Sequence, residues 1–156
     1  YITIAEEIEN LENYLQLQLK RFENKFEYQF EIGPYVNPSS IKIPSLLLQP
    51  LVENALNHGI FHSHKKGLLI ISFKVDNEHN ELICIIDDNG IGRHLSKKLR
   101  SEIIKRADSY GNILIKELIE TFNKYETIKI DLEYIDKVAP ENGTTVKIKI
   151  KNYTKV

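Results

Sequence analysis

Several residue types that mark particular protein classes are rare or absent in this chain. Its 156 residues include one cysteine and neither methionine nor tryptophan, and the formal net charge is -1 at pH 7. The single cysteine, Cys84, excludes an intramolecular disulfide and is typical of a reducing compartment. The near-zero charge excludes the broad basic surface that nucleic acids require, so we expect no nucleic-acid partner.

Long apolar runs are also missing. No segment has the pattern of a signal peptide or the length of a membrane span. The chain begins at Tyr1 and contains no methionine, so we expect it to be a piece of a longer protein or a matured chain. Its length fits one globular domain with a single core and an appended helix.

The spacing of the apolar residues predicts alternating helices and strands. Thr3 and Glu6 form a capping-box pattern, and apolar residues at helical spacing follow it. Period-two alternation predicts strands at 26–32, 68–75, 81–87, 128–134 and 146–150, and further helices are predicted at 44–59 and from Gly111. This order predicts an α+β fold, a two-layer α/β sandwich of a mostly antiparallel mixed sheet with helices on one face.

The first helix has two interpretations. Its apolar positions alternate steps of four and three, as in a coiled coil. These positions are Ile4, Ile8, Leu11, Leu15, Leu19 and Phe22. The helix either packs on its own domain or continues a dimer stalk that lies upstream. We assign residues 1–25 to this N-terminal helix and residues 26–156 to the main domain.

A helix with a polar face follows at "LLQPLVENALNHG", residues 47–59. The polar residues on this face are Gln49, Glu53, Asn54, Asn57 and His58. A solvated outer face is one explanation. A binding face is the other, because carboxamides offer an oxygen to a hard cation and a nitrogen to an anion at one place. Pro50 either kinks this helix or marks where its regular part begins.

Glycines follow a predicted buried strand in "IIDDNGIG", where the strand ends at Asp88. A plain acidic turn is one interpretation. In the other, Gly90 and Gly92 let the backbone approach a flat ligand, and the Asp88 carboxylate accepts a hydrogen bond from an exocyclic amine. That combination predicts an adenine site.

A third feature is Gly111 at the predicted start of a helix, with Gly143 and Thr144 later in the chain. Helix N-termini and exposed backbone amides bind phosphate oxygens. A turn glycine is the simpler interpretation when Gly111 is judged alone.

These features occur in the order and spacing of a known family. "LLQPLVENALNHG" resembles the N box, "DDNGIG" the first glycine box and "GTTVKIKI" the closing segment of GHKL (Bergerat-fold) ATP-binding domains, which histidine kinases share with gyrase, MutL and a heat-shock chaperone. The form "QPLVENA" is more narrowly similar to LytS/YehU-type sensor histidine kinases. "YITIAEEIENLENYLQLQLKRF" resembles the helix that joins the phosphoacceptor region to the ATP-binding domain, so the resemblance covers nearly the whole chain.

The resemblance implies roles for four residues of the polar helix. Asn54 is expected to hold Mg²⁺ against the triphosphate of ATP. Asn57 and His58 are expected near the phosphates, although many relatives have lysine in place of Asn57. Glu53 is expected beside the magnesium ligand, where it orients that ligand or the attacking group.

The resemblance also implies how the glycine segments act. Asp88 is expected to read adenine, and Gly90 and Gly92 to shape the base pocket. Gly111 is expected to lie by the phosphates under a mobile lid, and Thr144 to support the base.

Four departures from the family pattern affect the expected chemistry. Pro50 occupies the position where ATPase branches carry a water-activating glutamate, which favours transfer to an imidazole over hydrolysis. The second glycine box is reduced to Gly111, and Leu118 replaces an arginine, so a weaker grip on phosphate is expected. No phosphoacceptor motif precedes the first helix, so the chain alone is not expected to autophosphorylate.

The resemblance therefore implies the catalytic, ATP-binding domain of a sensor histidine kinase. Such a domain transfers the γ-phosphoryl group of Mg²⁺-bound ATP to a histidine on an upstream segment of its own chain. We expect a homodimer in the full-length protein, a response regulator of the LytTR type as partner, and a cytoplasmic location below an inner-membrane anchor. A hydrolytic ATPase of the same fold and a degenerate nucleotide-binding or scaffold domain are the alternatives.

Overall fold

The computed structural model describes residues 1–99 and 102–155, and for residues 97–99, 102–112 and 155 it describes the backbone alone. The strands are β1 (Ile2–Thr3), β2 (Phe26–Ile32), β3 (Ile41–Ile43), β4 (Gly67–Asp76), β5 (Glu81–Asp88), β6 (Lys129–Asp136), β7 (Thr144–Lys151) and β8 (Thr154–Lys155). The helices are α1 (Ile4–Arg21), α2 (Gln49–Asn54), α3 (Arg93–Leu99) and α4 (Glu102–Tyr125), and a π-helical turn (Ala55–Ile60) continues α2.

Five strands form the main sheet in the order β2-β4-β5-β7-β6. Strands β2 and β4 run parallel, with Phe26 opposite Gly67, and the other neighbours are antiparallel. The β4–β5 hairpin closes as predicted, since Asp76 Oδ1 accepts from the backbone amides of Glu78 and His79 at 3.0 and 3.2 Å. The predicted α+β fold with a mostly antiparallel mixed sheet is confirmed.

A small second sheet was not predicted. Its order is β1-β3-β8, and all its pairs are antiparallel. Strands of two or three residues are too short to show a period-two pattern. This sheet joins both ends of the described chain to β3, since Ile2 pairs with Ile43 and Thr154 pairs with Lys42.

Helix α1 packs on its own domain, in agreement with the first of its two interpretations. The predicted capping box is present, since Thr3 Oγ1 accepts from the Glu6 backbone N–H at 3.2 Å and Glu6 Oε2 accepts from the Thr3 backbone N–H at 2.7 Å. Leu11 and Leu15 are fully buried in the main hydrophobic core, whereas Leu17 is 65% exposed. The boundary between residues 25 and 26 stays a prediction.

A buried carboxylate brings α1 to the start of α2. Glu7 is 3% exposed. Burial raises its pKa, and hydrogen bonding from the backbone N–H groups of Leu48 and Gln49 opposes the rise. The buried carboxylate therefore lies at the first turn of α2, where Leu48 supplies no side-chain cap.

Helix α2 is shorter than predicted. It begins at Gln49 and has Pro50 in its first turn, and Pro44 lies in the loop after β3. The predicted start near Pro44 is wrong, whereas the alternative start near Pro50 is confirmed. A proline has no backbone N–H, so it is tolerated in a first turn, where that donor would have no helical acceptor.

Helix α4 also differs from the prediction. It begins at Glu102 and passes through Gly111, so the prediction that Gly111 opens a helix is wrong. The sequence from Glu102 to Gly111 contains no proline, and a glycine inside a helix costs only about 1 kcal/mol. Across the described ranges, no helix has an apolar stretch long enough to cross a bilayer.

The packing of α1 predicts unequal effects for two leucines that lie two positions apart on this helix. Leu15→Ala should lower the free energy of unfolding by about 2–5 kcal/mol, because it leaves a cavity in the core. Leu17→Ala should change it by less than about 0.5 kcal/mol. Urea denaturation of the two variants measures both values, and a small, equal effect would show that α1 does not pack on the domain.

Candidate functional site

A cavity of about 290 Å³ lies between the polar helix and the ends of the central strands. It is lined by Leu51, Asn54, Ala55, His58, Gly59, Asp88, Gly92, Arg93, Lys116, Leu132, Tyr134, Thr144 and Val146. Five residues that the sequence singled out lie together here, namely Asn54, His58, Asp88, Gly92 and Thr144. Part of the polar face formed by α2 and the π-helical turn therefore borders a cavity.

The π-helical turn decides which polar residues reach this cavity. The Phe61 backbone N–H donates to the Leu56 carbonyl, five residues back, at 2.9 Å. Such a turn is wider than an α-helical turn, so each residue advances by a smaller angle around the axis. Asn54 and His58 line the cavity, whereas Asn57 is exposed and lies outside the lining.

Glu53 is also outside the cavity lining. Its Oε1 accepts a hydrogen bond from Gln49 Nε2 at 3.0 Å, one helical turn earlier. The carboxylate also faces α1, where burial and then the negative charge of Glu53 raise the pKa of Tyr14 to about 12. The predicted role of Glu53 beside the magnesium ligand stays a prediction.

Asp88 is the buried acid of the cavity, with 3% of its surface exposed. Its Oδ1 accepts a hydrogen bond from the Gly90 backbone N–H at 2.8 Å. Burial raises its pKa to about 6, while the Gly90 hydrogen bond, the charge of Lys137 and a hydrogen bond from the Thr144 backbone oppose the rise. The effect of burial on the pKa is the larger, so ionisation of the Asp88 carboxylate lowers the stability of the folded chain.

Three glycines allow the backbone to close around Asp88. A Cβ on Gly59 would lie 2.7 Å from Asp88 Oδ1, and one on Gly90 would lie 2.2 Å from the Gly59 carbonyl carbon. Gly143 has φ +116°, and a Cβ there would lie 1.9 Å from the Asp88 carbonyl oxygen. Gly90 therefore shapes the site from behind the lining. From the sequence, Gly59 was predicted only as the end of the helix at 44–59 and not as a residue of the site.

The neighbours of Asp88 fix the turn to the sheet. Asn89 Oδ1 accepts from the Leu68 backbone N–H at 2.7 Å, and Asn89 Nδ2 donates to the Lys66 carbonyl at 3.2 Å. Lys137 Nζ donates to Asp87 Oδ2 at 2.7 Å and to the Asp88 carbonyl at 3.0 Å. Of the two adjacent acids, Asp87 serves the scaffold and Asp88 faces the cavity.

The far wall of the cavity was not predicted. Leu132 and Tyr134 come from β6, Val146 comes from β7, and Lys116 comes from α4. Their sequence patterns indicated only a strand or a helix, because a wall residue that faces a cavity has the same period as a core residue. Arg93, directly after Gly92, is the fifth such residue, and no motif marked it.

The lining combines three chemical characters. Apolar walls, one buried carboxylate and two cationic side chains suit a ligand with a flat apolar ring, a hydrogen-bond donor and an anionic part. Asn54 adds a carboxamide oxygen of the kind that Mg²⁺ accepts as a ligand. Among the residues with described positions, no group of three or more His, Cys, Asp or Glu side chains is placed to hold a metal ion.

Comparisons with known sequences find similar proteins among sensor kinases. No family model matches. The chain is 32% identical over 123 residues to the sensor histidine kinase BtsS of Escherichia coli. This alignment covers 71% of this chain and 21% of the relative. It is 35% identical over 91 residues to the sensor protein LytS of Staphylococcus haemolyticus. This alignment covers 58% of this chain and 15% of the relative. The match thus spans 21% of the length of the first of these curated relatives and 15% of the second.

Solved structures with the same fold are kinase domains. The mycobacterial sensor histidine kinase MprB superimposes with a TM-score of 0.59 at 18% identity and covers 96% of both chains. The catalytic domain of histidine kinase ThkA superimposes with a TM-score of 0.63 at 12% identity and covers 96% of this chain and 94% of its own. At these identities the match concerns the fold.

The buried state of Asp88 predicts a pH-dependent gain in stability on substitution. Asp88→Asn should raise the free energy of unfolding by about 2–3 kcal/mol at pH 8, because it removes a carboxylate whose pKa is higher in the folded chain. The raised pKa means that stability falls as pH rises from about 4 to 6. The gain should therefore shrink to near zero at pH 4.

Urea denaturation at both pH values measures this gain, and Asp131→Asn on the exposed face of β6 is the matched control. A gain of equal size at pH 4 and pH 8 would contradict the assignment of a buried, ionised Asp88.

Proposed function

The chain belongs to the family of LytS-type sensor histidine kinases, and we propose that it binds Mg²⁺-ATP in the cavity and serves as the catalytic domain of such a kinase. The observation that carries the proposal is that Asn54 and Asp88, from separate motifs, line the same cavity. One bound nucleotide would thereby contact both the residue proposed to hold the cation and the residue proposed to recognise the base.

The base is proposed to lie against Asp88. The Asp88 carboxylate is buried and ionised at neutral pH, so it is a strong acceptor for the exocyclic amine of adenine. Apolar side chains, among them Leu51, Leu132 and Val146, supply walls for a flat ring. Thr144 is 6% exposed and borders Asp88, in keeping with its proposed support of the base. The volume of about 290 Å³ fits a purine nucleoside, with the phosphates extending beyond it.

The phosphate end is proposed to lie toward Asn54 and His58. Asn54 would hold Mg²⁺ through its carboxamide oxygen, and the cation would neutralise charge on the triphosphate. Lys116 on α4 adds a positive charge at the cavity. The predicted roles of Glu53 and Asn57 beside the phosphates are part of this proposal, although both side chains lie outside the lining.

Transfer to a histidine is favoured over hydrolysis. Pro50, in the first turn of α2, has no acid or base group to activate water. Within the described cavity lining, Asp88 is the one carboxylate, and the base occupies it in this proposal. A neutral imidazole needs no such activation because it is itself a nucleophile. Positioning of the two reactants would then account for most of the catalysis.

The remaining partners belong to the longer protein. We propose that the acceptor is a histidine on an upstream segment of the same protein, which acts as a homodimer. A response regulator of the LytTR type would receive the phosphoryl group. The domain would lie in the cytoplasm below a membrane anchor.

Calorimetric titration tests the site directly. The wild-type chain should bind a non-hydrolysable Mg²⁺-ATP analogue, and Asn54→Ala should remove the increase in affinity that Mg²⁺ gives. Asp88→Asn should weaken the analogue about 10- to 100-fold and leave Mg²⁺-tripolyphosphate nearly unchanged, because a hydrogen bond to a charged group is worth about 1.5–3 kcal/mol. Asn10→Ala, at an exposed position of α1, is the control for loss of an amide.

Two results would favour the alternatives. ATP turnover by the isolated chain that disappears in Asn54→Ala would indicate a hydrolytic ATPase. No binding heat and no thermal shift at millimolar analogue would indicate a degenerate nucleotide-binding or scaffold domain.

A further inference from the structure

Arg93 is held in a fixed orientation at the edge of the cavity. Its Nε donates to Asp136 Oδ1 at 2.8 Å, and its Nη2 donates to Asp136 Oδ2 at 2.7 Å. The guanidinium carbon lies 4.8 Å from the centroid of the Tyr134 ring. A bidentate pair and a cation–π contact together fix both the position and the plane of the guanidinium group.

The residue that carries this fixed guanidinium group is part of the cavity wall. Arg93 and Tyr134 both line the cavity, and the Arg93 side chain is 41% exposed while that of Asp136 is 27% exposed. His94 Nε2 lies 3.6 Å from Asp136 Oδ2, farther than either Arg93 nitrogen, so Arg93 binds this carboxylate more closely than His94 does. A planar cation at a cavity wall offers a stacking surface to a flat ring.

The end of β6 also fixes Arg93 relative to Asp88. Asp136 binds Arg93 after the glycine turn, and the next residue, Lys137, binds Asp87 and the Asp88 carbonyl before it. Both sides of the turn are therefore tied to adjacent residues of one strand end. A ligand whose edge meets Asp88 would meet the Arg93 side chain at a set position.

We infer that Arg93 is a specificity-determining residue of the nucleotide site, whose guanidinium plane forms a wall against which the adenine ring lies. Asp136 is a positioning residue that acts through Arg93. This inference rests on the proposed function, because it assigns a contact to the same nucleotide. Lysine cannot replace Arg93 here, because a compact ammonium group makes neither the bidentate pair nor the planar contact.

Arg93→Lys separates this role from simple charge. Calorimetry should show adenosine nucleotide affinity lowered about 3- to 10-fold in the presence of Mg²⁺, the range expected for a lost cation–π-type contact. Mg²⁺-tripolyphosphate affinity should stay within about twofold of wild type, because the positive charge is retained. Lys66→Ala, which breaks the exposed pair with Glu27 outside the cavity, should leave both affinities unchanged.

A charge swap distinguishes a base contact from a structural tether. Arg93→Asp combined with Asp136→Arg keeps an ion pair between the turn and β6 but removes the guanidinium group from position 93. The double variant should recover thermal stability relative to Arg93→Asp alone and still bind the adenine nucleotide weakly. Recovery of wild-type nucleotide affinity in the swap, or an equal loss for both ligands in Arg93→Lys, would overturn the inference.

The wild-type titration separates this inference from the function on which it rests. A wild-type chain that binds no nucleotide would overturn both the proposed function and the role of Arg93. A wild-type chain that binds, with Arg93→Lys unchanged toward the nucleotide, would overturn the role of Arg93 alone.

Discussion

The burial of the Asp88 carboxylate is the constraint on which the rest of the site depends. Three backbone segments pass so close to this residue that a Cβ on Gly59, Gly90 or Gly143 would overlap a neighbour. The resulting low exposure raises the pKa of Asp88 to about 6 and would strengthen hydrogen bonds that the carboxylate makes to a bound ligand. Burial thus lowers stability at the residue to which we assign recognition of the base.

The cavity connects this acid to elements that are far apart in the sequence. The polar helix contributes Asn54, β6 contributes Tyr134, and the glycine turn contributes Arg93. Helix α1 packs on the same core, and its buried Glu7 faces the start of α2. We therefore expect the position of Asn54 to depend on the packing of the helix that we assign to the joining segment.

Local patterns predicted the elements whose residues follow a regular helical or strand period. The capping box of Thr3 and the alternation in β2 and β4–β7 were sufficient for α1 and the main sheet. The π-helical turn and the contacts of Arg93 with Tyr134 and Asp136 depend on distant segments meeting, which no spacing rule encodes. The prediction that Gly111 opens a helix failed because a glycine marks a helix end only where the residues on one side of it are not helical.

Nuclear magnetic resonance of the nitrogen-15-labelled chain during titration with a non-hydrolysable Mg²⁺-ATP analogue tests the central claim most directly. If one cavity joins Asn54 and Asp88 to a single nucleotide, the largest shifts should occur at the Asn54 side-chain amide and the backbone amides of Gly90 and Gly92. Binding that leaves these signals in place and shifts residues on another face of the domain would contradict the account.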